Sequence, residues 1–155
     1  MRLAVVAVAV MACGPSNAEI KTARTASYHA TPANLLQIAQ DVTSETYQVA
    51  SRTDAELVTV PRFYSATGDL EGTGAGNVVQ VRAGSVRVVF HIKVVPSGAE
   101  SFAIEVTPDT LQVVEGSPQP RQLAPDDPYL PPFVLGRADS LALAIYERAK
   151  SYATK

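Results

Sequence analysis

Apolar positions along this chain change their spacing several times, and each change predicts an element. Residues 3–12 are an uninterrupted apolar run behind a single charge, Arg2. Thr31-Pro32 then supplies a helix start, threonine as N-cap and proline at the first helical position. Leu35, Ile38, Ala39 and Val42 follow at helical spacing with Leu36 beside them. Tyr47–Arg52 alternates and is rich in strand formers. Leu57–Ala66 reads as a second strand, with Pro61 demanding an edge or a bulge. Four glycines in Gly68–Asn77 predict a hairpin tip or loop.

The strongest β signal is Val78–Val95. Val86, Val88, Phe90, Ile92 and Val94 share one parity and are expected to face the core, with Arg87, Val89, His91 and Lys93 on the opposite face. Val79, Val81 and Ala83 have the other parity, so a bulge or tight turn is expected near Gly84-Ser85. Pro96–Ala99 predicts the next turn. Ser101–Thr107 returns with Phe102, Ile104 and Val106 inward, and Leu111–Val114 is read as a further short strand. Six of the eleven prolines lie between Pro118 and Pro132, which predicts an extended surface segment. A closing helix follows, with Asp139 in its first turn, Lys150 near its end, and Ala138, Leu141, Ala142, Ile145, Ala149 and Tyr152 as its apolar face. The order is helix, strands, helix. It predicts a two-layer α+β domain, with one curved antiparallel sheet of about four to five strands and an N-terminal and a C-terminal helix on one face.

The chain's 155 residues leave room for one domain. Ten apolar residues cover about 15 Å as a helix, half of a bilayer core, but match the apolar region of a secretory signal peptide. Val10-Met11-Ala12-Cys13 resembles the lipobox of bacterial lipoproteins, which end their leader in an aliphatic residue, a tolerated residue, a small residue and the lipidated cysteine. The resemblance implies cleavage before Cys13, a diacylglycerol on its sulfur, and stable anchoring by several acyl chains. Cys13 is also the only cysteine, so no intramolecular disulfide exists. The expected organisation is a signal peptide over 1–12, a flexible tether over 13–25 and a domain over 26–155. Gly14, where retained lipoproteins of two-membrane bacteria commonly carry aspartate, implies the outer membrane, facing the periplasm.

Charge excludes one class of partner. Without Arg2, 12 basic residues face 15 acidic ones with no basic stripe, which argues against nucleic acid. The element order, the lipobox and the segment Tyr47–Tyr64 together resemble the helix-grip domains of the C-component lipoprotein of the outer-membrane β-barrel assembly machinery. The resemblance covers residues 27–153, carries no diagnostic motif, and implies a fold and a place in outer-membrane assembly.

Catalytic chemistry is poorly represented. Gly72-Thr-Gly-Ala-Gly76 precedes a strand, not the helix that a nucleotide fingerprint needs. His91 is expected on the outer face beside Arg87 and Lys93, His29 has no carboxylate or nucleophile at local spacing, and Asp126-Asp127 reads as a solvated turn that offers too few oxygens for calcium. No Cys/His spacing suggests zinc. The expectation is a non-enzyme without cofactor or metal. Two surfaces are candidates for an envelope protein partner: Tyr129, Leu130 and Phe133 in the proline-rich segment, and Arg87, His91 and Lys93 on the outer face of the sheet. The alternative is a carrier of a small apolar ligand or lipid, which predicts an enclosed cavity of several hundred Å³ between sheet and closing helix.

Overall fold

A thirteen-residue strand, β5 (Val86–Gly98), organises the sheet. The computed structural model describes residues 15–74 and 81–154; Cys13 with its apolar leader, and residues 75–80 of the glycine-rich stretch, lie outside them. On one side β5 pairs along nearly its whole length with β6 (Ser101–Gln112), which pairs in turn with β7 (Arg121–Leu123). On its other side lie β2 (Glu56–Thr59) and β3 (Arg62–Tyr64), end to end, flanked by β1 (Val49–Arg52) and β4 (Leu70–Thr73). All pairings are antiparallel and the seven-stranded sheet is not closed. Among the described residues three α-helices complete an α+β fold: α1 (Asn17–Thr25), α2 (Pro32–Ser44) and α3 (Pro132–Ala149).

The predicted second strand is two. Leu57 pairs with Ile92 and Phe63 with Arg87, so six steps on one chain oppose five on β5. The extra residue is a bulge at Val60-Pro61, where a proline without an N–H fits. The amide of Phe90 turns instead to the Thr59 hydroxyl, 2.9 Å away.

The parity read from the sequence positions the core. Val86, Val88, Phe90, Ile92 and Val94 pack with Leu35, Leu36, Ala39 and Val42 of α2 and with Val134, Ala138, Leu141, Ile145 and Ala149 of α3. Each large side chain removed from water stabilises the fold by about 1.5–3 kcal/mol. Helix α2 begins as predicted: the Thr31 hydroxyl accepts from the Asn34 amide and Pro32 occupies the first turn.

Several boundaries differ from expectation. Residues 17–25 are helical, where a flexible tether is expected. Ser16 and Glu19 form a capping box, Ala23 is buried, and Arg24 pairs with Asp139 of α3. Helix α3 starts at Pro132, so Asp139 lies in its third turn rather than its first. The hairpin turn of β3–β4 falls at Ala66–Asp69, where Gly68 has φ +94° and a Cβ would meet the Phe133 ring at 3.0 Å. β5 runs on through Pro96–Gly98, and the turn is Ala99-Glu100, with Glu100 at φ +56°. Leu111 and Gln112 end β6 instead of opening a separate strand. The expected break near Gly84-Ser85 is a turn with Gly84 at φ +85°.

Tyr28 ties three parts of the chain together. It exchanges backbone hydrogen bonds with Phe102 of β6 (2.8 and 3.1 Å) and forms a second bridge with Ala153 beyond α3.

Candidate functional site

The structure separates the three anchors expected in the proline-rich segment. Leu130 is buried, and Phe133 belongs to the first turn of α3, its ring 5.7 Å from that of Tyr64. Tyr129 alone points outward, 64 % exposed, with the Arg121 guanidinium 4.5 Å above its ring. The adjacent Asp127 accepts from the Tyr129 amide at 2.8 Å and from Arg121 at 3.2 Å, which closes the turn on itself. The segment therefore offers one aromatic side chain to a partner, not a row of them.

On the outer face of the sheet the three expected cations are brought side by side and paired within the chain. Arg87 lies 3.3 Å from Asp109, His91 2.7 Å from Glu56, and Lys93 3.7 Å from the same carboxylate. The hydrogen bond from His91, helped by Lys93, holds Glu56 below the ordinary carboxylate range. The other histidine, His29, places Nδ1 3.2 Å from the Glu100 carbonyl. Among the described residues no group of three or more His, Cys, Asp or Glu side chains converges as a metal site would require.

Two guanidinium groups stack on tyrosines at the side of the core. Arg62, projecting from the inner face of β3, lies 4.4 Å above the Tyr47 ring and donates to the Thr46 carbonyl. Arg137 of α3 lies 4.6 Å above Tyr64 and donates to the Gly68 carbonyl. Burial raises the Tyr47 phenol above its usual pKa, partly offset by the two arginines. The pairs join the β3–β4 hairpin and the end of α2 to the rest of the fold, as cation–π contacts can.

A groove of about 410 Å³ opens along the edge of β6, between that strand and α3. Ile104, Val106 and Pro108 form its strand wall, and Leu135, Ala138 and Ala142 of α3 form the helix wall. The Arg24–Asp139 ion pair and Pro125 also border it. The space directly between β5 and α3 is filled, with Val88, Phe90, Val134 and Ile145 at most 1 % exposed. The hollow thus lies at the sheet's edge and opens to solvent, whereas the carrier reading expects a cavity enclosed beneath α3.

The edge has a specific hydrogen-bonding state. Phe102 directs both its amide and its carbonyl away from β5 to Tyr28, and alternation along an antiparallel strand gives Ile104, Val106 and Pro108 the same outward direction. On β5, the amides of Phe90 and Val94 likewise turn away from β6, to Thr59 and Ala55. β7 covers the edge from Gln112 to Thr110, with Thr110 opposite Leu123. The next outward position would set Pro108 against Pro125, and neither has an N–H to donate. The ladder stops there. Ile104 and Val106 lie in the gap between β7 and Tyr28, their outward amides and carbonyls without a partner among the described residues.

This site was not found from sequence, because it depends on which residues face each other across a pairing. Comparison of the chain with protein families, curated proteins and solved structures returned no match in any of the three.

Proposed function

We propose that this chain is a membrane-anchored envelope lipoprotein that acts as a non-catalytic protein-binding module, held at the outer membrane through a lipid on Cys13. The observation that supports binding is the groove along β6, whose walls from β6 and α3 are largely apolar and are bordered by Glu105, Thr107 and the Arg24–Asp139 pair. The Val10–Cys13 segment supports the anchor, Gly14 supports the outer membrane, and the resemblance of the element order and of Tyr47–Tyr64 to helix-grip domains of an outer-membrane assembly lipoprotein suggests a partner in envelope assembly. The test is a crosslinking pull-down of the full-length, membrane-anchored protein, paired with fractionation of Cys13→Ala. A reproducible protein partner is expected, together with loss of lipid labelling and release of the variant from membranes. Persistent membrane attachment of Cys13→Ala would sink the anchoring reading.

A second reading is a carrier of a small apolar ligand or lipid. The filled space between β5 and α3 counts against it, and only the volume of the open edge groove, about 410 Å³ against a usual range of about 300–1,000 Å³, favours it. A lipid recovered with the purified protein, and no protein partner, would bring this reading forward.

A further inference from the structure

We propose that the groove takes its partner as an extended polypeptide strand, which hydrogen-bonds to Ile104 and Val106 and fills the gap in the ladder on β6; this rests on the protein-binding reading above. The edge is already covered by backbone on both sides of the gap. Tyr28 pairs with Phe102, and Leu123 pairs with Thr110. Between them the outward positions are Ile104, Val106 and Pro108, spanning about 14 Å at a strand's rise per residue. That length accepts a segment of about five residues.

The chemistry of the gap selects a main chain. Ile104 and Val106 each present one donor and one acceptor, spaced two residues apart along the same edge. A partner strand carries the complementary alternation in every second residue, whatever its sequence. An apolar lipid or sterol-like ligand seated in the groove would shield those four groups from water without replacing their hydrogen bonds. Each such loss costs about 1–3 kcal/mol. The groove also gives the strand a facing helix. Leu135, Ala138 and Ala142 are apolar, and the two alanines leave room for side chains. The partner is therefore an extended segment with apolar residues at alternate positions, those facing α3, and no requirement at the positions between them.

The gap is held open by sequence. Pro108 and Pro125 would be the next hydrogen-bonded pair of β6 and β7, and both lack the amide. After Leu123 the chain turns away at Pro125, where the Asp127 amide closes a turn on the Ala124 carbonyl at 3.0 Å. At the other end Ala26 would be the next partner, for Ile104, but it is the C-cap of α1.

The test pans a display library of short random peptides against the full-length chain in lipid nanodiscs. Enriched peptides are then resynthesised with N-methyl groups on one or the other alternate set of amides. Hydrogen exchange at Ile104 and Val106 is followed with each. Strand addition predicts exchange slowed about tenfold or more at those two amides, binding abolished by N-methylation of one alternate set, and binding retained with the other. Val106→Pro, which removes the same N–H at a parity where Pro108 already sits, is expected to weaken binding about tenfold, while Val106→Thr retains it. No enrichment, equal binding of both methylated sets, or protection confined to other amides would overturn the proposal. So would a lipid occupant that displaces every selected peptide. If the peptides bind Cys13→Ala equally, the strand site stands whatever becomes of the anchor. A partner crosslinked only at the outer sheet face would leave the binding-module reading and remove this site.

Discussion

The hydroxyl of Thr59 accepts the amide of Phe90 at 2.9 Å, and both residues are buried to within 1 % exposure. The contact repairs the ladder where the bulge at Pro61 takes β2 and β3 out of step with β5. Thr59→Val keeps the shape and removes the acceptor, leaving a buried N–H alone. We expect a loss of about 1–3 kcal/mol in urea unfolding. A change below about 0.5 kcal/mol would show that the Phe90 amide finds another acceptor.

Alkaline stability is expected to depend on Tyr28. Burial, then the neighbouring Tyr146, pushes its phenol up to about 12 from 10.0. The folded state thus holds the proton more tightly than the unfolded one. Stability from this group is complete below pH 10 and is lost as pH rises from there through 12, with a total of roughly 2–3 kcal/mol. Tyr28→Phe should flatten the decline in urea midpoint between pH 10 and 12. An unchanged slope in the variant would assign the decline to other groups.

The first helix should respond to its cap. Ser16 accepts from the Glu19 amide, and Glu19 accepts from Ser16 in return, which holds the Glu19 carboxyl below its ordinary value. Ser16→Ala is expected to speed amide exchange across 17–25 about fivefold while leaving β5 unaffected. Because the Glu19 carboxyl is depressed, its contribution is present above its unfolded value of 4.5 and lost as pH falls below it. Equal exchange in wild type and variant at pH 7 would mean that docking on α3, not the cap, holds the helix.

Tyr129 and Leu130 are neighbours with opposite expected outcomes. Leu130→Ala empties a core position and should cost about 2–4 kcal/mol. Tyr129→Ala, at 64 % exposure, should stay within about 0.5 kcal/mol of wild type. Comparable losses from the two would place Tyr129 in the stabilising framework of the fold.

The α+β class, the facing of β5 and the start of α2 were legible because each is written in local spacing. Val86 to Val94 alternate over two strands' worth of neighbours, and Thr31-Pro32 is a local cap. Helix α1 was missed: the Ser16–Glu19 spacing of a capping box is present, but the short polar run buries only Ala23 and so shows almost no apolar stripe. The start of α3 was hidden by Pro131-Pro132, which reads equally as extended chain and as a helix's first turn. The partner-facing roles of Arg87, His91 and Lys93 could not be weighed from sequence, since Asp109 and Glu56 meet them only across the sheet. The groove was out of reach for the same reason. Pro108 and Pro125 matter together only once Thr110 is known to face Leu123.

Tyr28 also decides how the fold would carry a load. A pull on the chain from the side of residue 15 meets α1 first, held by its cap, by Ala23 and by the Arg24–Asp139 pair. It then meets two backbone bridges at one residue, to Phe102 and to Ala153, reinforced by the His29 and Thr154 amides at 2.8 Å each. Helix α1 can be peeled away while these remain fastened. In mechanical terms the first helix is a shock absorber and Tyr28 is the knot behind it, so tension applied from that side would be spent before it reached the core.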